Sequence, residues 1–221
     1  MNPLAAIAAP FEVSPAPRET LEVLGLEQIG GVPRGAITEI IGPESSGRTT
    51  LANSLLAAVT SRSETCCIID TSDAFDPVSA AQSGVVLSQL IWIRCSGNVE
   101  HAFKSADLIL HAGGFGVVVL DLARIGERAA NRIPISYWYR FRRAIENTPT
   151  ILALVEKNAL ARSCAALMLD LKRDTAQWRG APGFELLRGI GVGVTPRKPA
   201  GRGRVHVEVS AQEAAAFRCA R

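Results

Sequence analysis

The stretch IIGPESSGRTT, residues 40–50, decides the fold prediction. It carries Gly42, Gly47 and Thr49 at the spacing of the phosphate-loop pattern G-x-x-x-x-G-K-[ST], with Arg48 where that pattern has lysine. The β-rich run AITEIIG (36–42) precedes the loop, and the helical pattern TTLANSLLAAVTS (49–61) follows it. This order of strand, glycine loop and helix predicts an anion cradle, because backbone N–H groups and the positive end of the helix dipole converge there.

The rest of the chain alternates apolar runs with helical patterns. Strands are predicted over 65–71, 90–95, 115–123, 150–156, 164–174, 186–198 and 204–210. Helices are predicted over 77–84, 99–113 and 136–148. Continuous apolar strands between helices predict an α/β fold with a mostly parallel central sheet that is covered on both faces. The last two strands join through residues 196–203 and predict an antiparallel C-terminal hairpin at the sheet edge.

The ends of the chain lack this alternation. Residues 1–20 contain four prolines and little periodicity, which predicts a flexible N-terminal arm before a core domain of residues 21–210. Residues 211–221 are expected to form a C-terminal helix or tail. No apolar run reaches the roughly 20 residues of a transmembrane helix. Five scattered cysteines without a C-x-x-C motif indicate reduced thiols in a cytoplasmic protein, and no His or Cys spacing predicts a metal site.

Charge is distributed unevenly along the sequence. Up to Asp121 there are 6 Lys/Arg and 13 Asp/Glu, a balance of −7, whereas the remainder has 18 and 8, a balance of +10. The basic half either faces nucleic acid or an acidic partner, or consists of ordinary solvated arginines.

Asp121 supplies a second element of a nucleotide site. It closes the buried run FGVVVL (115–120), and an acidic residue at that place holds magnesium through water in phosphate-loop folds. The hydroxyl of Thr49 is the predicted direct ligand, so Thr49 and Asp121 are magnesium candidates if a nucleotide binds. The alternative for Asp121 is a solvated residue at a strand end.

The segment GPESSGRTTLA resembles the phosphate loop of the RecA family, GPESSGKTTLA. The resemblance continues in GGVPRGAITEIIG, CCIIDTSDAFDP, VEHAFKSADLIL and CAALMLDLKR and covers about residues 21–175. It implies a RecA-like core that binds ATP with magnesium. The implied nucleotide-binding residues are Gly42, Pro43, Glu44, Ser45, Ser46, Gly47, Arg48, Thr49, Thr50 and Asp121.

The departures from the family pattern occur at the positions that bind and hydrolyse ATP in the family. Arg48 replaces the lysine, Ser72 stands at the position of the catalytic glutamate with Asp73 beside it, and Glu156 replaces the sensor glutamine. Only KNALARS (157–163) remains of the glycine-rich DNA loop, and residues 1–20 show no polymerisation helix. No catalytic residue is therefore assigned, and ATP hydrolysis is expected to be weak or absent, because loss of a general base alone costs about 10²–10⁴ in rate.

A short, degenerate RecA-like chain resembles the ImuA family of the bacterial SOS response. That resemblance implies a scaffold in error-prone translesion synthesis, cytoplasmic and nucleoid-associated. Its implied partners are an ImuB-like inactive Y-family polymerase homologue, an error-prone replicative-type polymerase, RecA itself, and single-stranded or duplex DNA. Two other hypotheses stay open. One is a DNA-dependent ATPase in which Arg48 binds phosphates and Asp73 or Glu156 is the base; the other is a regulator that docks on RecA filaments.

Three basic clusters are DNA-binding candidates. The segment after Asp121 and the aromatic helix SYWYRFRRA (136–144) contribute arginines that either contact phosphates or form salt bridges and solvated faces. Trp138 and Phe141 of that helix are equally explained by core packing. The turn TPRKPAGRGRV (195–205) contributes the third cluster. The candidates are Arg124, Arg128, Arg132, Arg140, Arg142, Arg143, Arg197, Lys198, Arg202 and Arg204.

Overall fold

The computed structural model describes residues 19–23, 25–181, 183–200 and 203–210, and the backbone of 217–219. The strands are β1 Thr20–Leu21, β2 Val32–Pro33, β3 Ala36–Ile41, β4 Cys66–Asp70, β5 Leu90–Arg94, β6 Val117–Asp121, β7 Ile151–Glu156, β8 Ala165–Arg179, β9 Leu186–Lys198, β10 Val205–Ser210 and β11 Phe217–Cys219. The α-helices are α1 Arg48–Thr60, α2 Pro77–Gln82, α3 Val99–Ala112, α4 Glu127–Ala130 and α5 Ile135–Ile145.

Within the described residues, nine strands form one sheet in the order β11-β10-β9-β8-β3-β7-β6-β4-β5. The neighbours from β8 to β5 pair in parallel, whereas β8, β9, β10 and β11 pair antiparallel. This arrangement confirms the predicted mostly parallel sheet with an antiparallel C-terminal hairpin. Because β3, β6, β4 and β7 run in the same direction, their carboxyl ends and the following loops meet at one edge of the sheet.

Both faces of the sheet are covered, as the continuous apolar strands predict. In β6, Val117 and Val119 face the core layer that contains α1, whereas Val118 and Leu120 face the layer that contains α3 and α5. This alternation follows from the two-residue period of a strand, which sends successive side chains to opposite faces. The central strands are thereby fixed from both sides, and the loops at their carboxyl ends extend from a rigid base.

The hairpin formed by β8 and β9 extends beyond the rest of the sheet. β8 pairs with β3 only as far as Asp170, and β9 pairs with β10 only from Gly189 onward. The remaining part is a two-stranded arm, on which Trp178, Phe184 and Leu186 are exposed. β8 therefore runs five residues past the predicted strand end at 174, because strand pairing with β9 continues where burial has ceased.

The C-terminal segment, expected to be a helix or tail, contains a short strand where it is described. Phe217–Cys219 is a strand that pairs antiparallel with β10, with Val207 opposite Cys219. Of the predicted arm of residues 1–20, residues 1–18 lie outside the described residues, and Thr20 begins β1. Residues 211–216, 220 and 221 also lie outside the described residues. No helix among the residues described is long and apolar enough to cross a membrane.

Four cysteines are buried in the core without disulfide partners: Cys66, Cys67, Cys95 and Cys164. Burial raises the pKa of the Cys66 thiol to about 11 and that of the Cys67 thiol to about 12. These thiols stay protonated near neutral pH and pack as small apolar side chains.

Candidate functional site

The phosphate loop links β3 to α1 and lies against β8. Gly42 follows β3 directly, and a Cβ at that position would lie 2.3 Å from the carbonyl oxygen of Leu171 and 2.7 Å from Oγ of Ser46. Gly47, with φ +92°, is the N-cap of α1, and no side chain caps the helix there. The first N–H groups of α1 are consequently available to an anion from outside the chain.

A cavity of about 680 Å³ opens between this loop and the carboxyl ends of the central strands. Its volume falls in the range of about 300–1,000 Å³ that small-molecule sites occupy. Its polar lining residues are Glu44, Ser45, Arg48, Thr49, Asn53, Asp121, Arg124 and Lys157. The structure thus brings five of the predicted nucleotide-site residues, Glu44, Ser45, Arg48, Thr49 and Asp121, to one cavity.

Arg48 is nearly buried, with 7% of its surface exposed. Burial lowers the pKa of its guanidinium, and the carboxyl groups of Asp121, Glu44 and Glu156 act in the opposite direction. Its Nη1 atom and the buried Oγ of Ser46 have no hydrogen-bond partner among the described residues. Buried polar groups without partners are costly unless a ligand or water satisfies them, and Arg48, which lines the cavity, fits a phosphate group by its charge. Ser46 is not among the residues that line the cavity.

Asp121 lies beside Asp70 on the neighbouring strand. Its Oδ1 accepts a hydrogen bond of 2.9 Å from the backbone N–H of Ala123. Burial and, to a lesser degree, Asp70 raise the pKa of Asp121, while Arg48 and Arg124 oppose the rise. Thr49 and Asp121 both line the cavity and offer the oxygen ligands that magnesium requires. Bound magnesium would neutralise phosphate charge and favour the ionised form of Asp121.

The turn after β4 holds its carboxylates away from the cavity. Asp70 accepts hydrogen bonds from the backbone N–H groups of Ala74 (3.0 Å) and Phe75 (2.9 Å), which fixes the turn. Asp73, with φ +53°, forms an ion pair of 3.2 Å with Arg94 at the end of β5. Neither Asp73 nor Ser72 lines the cavity. The hypothesis that Asp73 acts as a general base at this site therefore has no geometric support.

Glu156 lies at the end of β7 and is buried beside Glu39 of β3. Burial and the neighbouring Glu39 carboxyl raise the pKa of Glu156 well above its ordinary value. Oε1 of Glu156 accepts from the N–H of Leu160 (3.1 Å), and Oε1 of Glu39 accepts from the N–H of Ala161 (2.6 Å). This carboxyl pair anchors the short loop 157–163. A buried carboxyl that favours its protonated form is a poor base for ATP hydrolysis.

Lys157 is a cavity residue that the sequence analysis did not single out. It follows β7 directly, and its exposed side chain lines the cavity with Arg48 and Asp121. Its position at the carboxyl end of a parallel strand is the signal that could have found it. Arg124, predicted as a DNA contact, also lines this cavity and lies close enough to Asp121 to affect that carboxyl.

The other basic candidates fall on separate elements. Arg128 belongs to the four-residue helix α4, while Arg132 follows it, so the four-residue spacing is not one helix face. On α5, Arg140 forms an ion pair with Asp107, and the guanidinium of Arg142 lies 5.6 Å from the ring centre of Tyr139. Arg143 is exposed on the same helix.

The tip of the hairpin between β9 and β10, the predicted basic turn of residues 195–205, forms mostly internal ion pairs and hydrogen bonds. Arg197 forms an ion pair with Asp170, and Arg204 forms one with Asp174. Lys198 donates a 3.0 Å hydrogen bond to the carbonyl oxygen of Ser163. Arg202 lies outside the described residues. The tip is thus not a free cluster of cations, although its role in DNA binding stays a prediction.

A family model described as the RecA N-terminal domain matches residues 12–129, more than half of the chain. The chain belongs to the RecA family. This RecA-family chain is 43% identical over 93 residues to a protein named RecA from Rickettsia bellii, and 41% identical over 93 residues to RecA from Chloroflexus aurantiacus. The aligned part covers 42% of the chain but only 27% and 26% of these relatives.

A solved structure, that of the RadB recombinase, has a similar fold. It matches with a TM-score of 0.64 and covers 89% of this chain and 96% of that chain, at 15% identity. At this identity the likeness concerns the fold alone. The RecA-like core predicted from the phosphate loop is therefore confirmed, while the activity of this RecA-family chain has to be argued from its own site.

Proposed function

We propose that this chain is an accessory protein of the SOS DNA-damage response with absent or weak ATPase activity. It acts in the cytoplasm at the nucleoid, as a scaffold that supports error-prone translesion synthesis, in the manner of the ImuA family. Its partners are an ImuB-like inactive polymerase homologue, an error-prone replicative-type polymerase, RecA, and single-stranded or duplex DNA. Its phosphate cavity binds magnesium nucleotide and serves regulation or stability more than turnover.

The main support for this proposal is that no described carboxylate in the cavity is placed to act as a general base for ATP hydrolysis. Among the described residues that line the cavity, the only carboxylates are Glu44 and Asp121. Glu44 belongs to the phosphate loop itself, and Asp121 is the candidate magnesium ligand. Asp73 is paired with Arg94, and Glu156 is paired with Glu39 and favours its protonated form. The site can bind a phosphate chain, but no described carboxylate is placed to activate water.

The DNA-dependent ATPase remains the competing hypothesis, because Thr49, Asp121 and the uncapped helix α1 are retained. Two measurements separate the two hypotheses. Calorimetry with magnesium-ATP measures binding, and a single-turnover assay with and without single-stranded DNA measures hydrolysis. Binding with little or no turnover supports the proposal. Hydrolysis that DNA stimulates would contradict it and make Arg48 a functional variant of the lysine.

The scaffold role requires direct contact with polymerase-type partners. Purified full-length chain is expected to retain the ImuB-like protein in a pull-down, with bovine serum albumin as the unrelated control. Loss of RecA filaments on addition of the chain, without any polymerase contact, would favour the filament regulator instead. These outcomes do not depend on whether a nucleotide is hydrolysed.

A further inference from the structure

We propose that Lys157 and Arg124 complete the phosphate site, with Lys157 supplying from β7 the flexible ammonium that the phosphate loop lacks. This inference rests on the proposed binding of a magnesium nucleotide and deepens it. The ligand class is a polyphosphate chain, as in a nucleoside triphosphate. The site then contains three cations from three elements: Arg48 of the loop, Arg124 after β6 and Lys157 after β7.

Arg48 alone is a poor replacement for the lysine. Its side chain is nearly buried in the first turn of α1, and its guanidinium lies near the carboxylates of Asp121 and Glu44. A planar guanidinium held in this way is fixed in direction and does not follow a flexible phosphate chain, and its Nη1 is itself buried without a hydrogen-bond partner among the described residues. Part of its charge is also offset by the neighbouring carboxylates. A second, more mobile cation is needed to bind further phosphate oxygens.

Lys157 has the properties that Arg48 lacks. It is exposed, it lines the same cavity, and within the described part of the chain it forms no ion pair closer than 4.0 Å. Its backbone is held in place, because Glu156 before it is buried in β7 and bonds to Leu160 beyond it. A lysine of this kind combines a fixed origin with a compact charge on a four-carbon stem, which suits phosphate oxygens.

The charge balance of the cavity agrees with a polyanionic ligand. Its described lining contains three cations, Arg48, Arg124 and Lys157, against the two carboxylates Glu44 and Asp121. Magnesium bound by Thr49 and Asp121 would add further positive charge. A neutral nucleoside gains nothing from this arrangement, whereas each phosphate group does.

The test is calorimetric titration of the full chain and its variants with three probes in magnesium buffer. The probes are the β,γ-imido analogue of ATP, inorganic triphosphate and adenosine. Lys157→Gln is expected to weaken binding of both phosphate probes about tenfold or more, because a hydrogen bond to a charged group is lost. Lys157→Arg is expected to recover most of that loss, and adenosine binding is expected to be unaffected.

Lys104→Gln is the matched control, because Lys104 is an exposed lysine on α3, on the opposite face of the sheet from α1. It should bind as the unmodified chain does, and Lys157→Gln should melt at the unmodified temperature without ligand. Unchanged phosphate affinity in Lys157→Gln would overturn the inference and leave nucleotide binding intact. Loss of single-stranded DNA affinity with unchanged nucleotide affinity would overturn it too, by making Lys157 a DNA contact. A chain that binds none of the phosphate probes would remove the proposed nucleotide site and this inference with it.

Discussion

At Gly42 the phosphate loop approaches strand β8 closely. A Cβ there would meet a backbone carbonyl oxygen, that of Leu171, at 2.3 Å, so the strand β8 would have to move. Gly42→Ala is expected to lower the free energy of unfolding by about 1–3 kcal/mol, as overpacking typically does. The measurement is the midpoint of urea denaturation with an unchanged slope.

Gly126 offers a control of the same chemical change. Its φ is −67°, and a Cβ there meets nothing within 4 Å. Gly126→Ala should change stability by about 0.5 kcal/mol or less, because the added Cβ meets no neighbour and Gly126 is only the N-cap of the four-residue helix α4. Equal stability of the two variants would show that the loop does not press against β8.

Glu156 and Glu39 form a second residue-scale feature, a buried pair of carboxyl groups. Oε2 of each has no hydrogen-bond partner among the described residues, whereas each Oε1 accepts from a backbone N–H of the loop 157–163. Two ionised carboxylates in this position would repel, so the raised pKa of Glu156 expresses a cost of ionisation in the folded state. The pair makes the stability of the folded chain depend on pH, and Glu156 directly precedes Lys157 in the chain.

Glu156→Gln is expected to remove this sensitivity. In the unfolded chain the carboxyl ionises near pH 4.3, whereas in the folded chain its pKa is higher. The stability that the protonated group contributes is complete below about pH 4.3 and is lost as pH rises through the folded pKa. The free energy of unfolding of Glu156→Gln should match that of the unmodified chain at pH 4 and exceed it at pH 8.

The control for this pH series is Glu146→Gln, which changes an exposed carboxyl at the end of α5. Its stability should follow the unmodified chain across the whole range. A difference between Glu156→Gln and the unmodified chain that does not change with pH would mean that Glu156 ionises normally in the folded state.

At the scale of elements, helix α5 has an apolar face that packs in the core and a basic face that is exposed. Trp138, Phe141 and Ile145 are buried on one side, while arginines occupy the other. The Trp138 ring lies 5.2 Å from that of Phe103 on α3 in an edge-to-face arrangement. Trp138→Ala is expected to lower the free energy of unfolding by about 3–5 kcal/mol, because a buried aromatic side chain leaves a cavity. Thermal or urea unfolding followed by far-ultraviolet circular dichroism measures the loss.

Tyr139→Ala is the comparison on the same helix, since that ring is 47% exposed. Its effect should stay within about 0.5 kcal/mol, as for most surface substitutions. A mild effect of Trp138→Ala would mean that the layer of α3 and α5 tolerates a void, contrary to the dense packing of Phe103 against three aromatic rings.

The elements that were predicted well from the sequence are the buried strands and the phosphate loop, because their residue types show their burial directly. Apolar runs such as ILALVE (151–156) and the loop glycines give clear signals, because apolar continuity and glycine spacing are local properties of the sequence. Exposed strands give no such signal in the sequence. The part of β8 beyond residue 174 and the strand Phe217–Cys219 form because they pair with other strands. The roles of Glu39, Asp73 and Lys157 depend likewise on which neighbours the fold brings near, and sequence spacing does not contain that information.

At the scale of the whole molecule, the sheet order brings together strands from the basic half of the sequence. Strands β8, β9, β10 and β11 fill one end of the sheet, and the earlier strands β4 and β5 fill the other. The balance of −7 up to Asp121 and +10 after it is a property of the sequence, and β8, β9 and β10 belong to its basic half. A polyanion such as DNA should approach from the side of the basic half.

Single-stranded DNA is accordingly expected to bind with an affinity that falls as salt increases. The slope of log K against log salt is about −0.7 for each phosphate contact on a single strand. Replacing Arg142 and Arg143 by Gln should reduce the steepness by roughly 1.4 in fluorescence anisotropy titrations, if both contact phosphates. Arg140→Gln is the matched control on the same helix, since Arg140 is already paired with Asp107 and should change the slope less. An unchanged slope in the double variant would show that α5 does not contact DNA phosphates. A slope near zero in the unmodified chain would favour an acidic protein as the partner of the basic half.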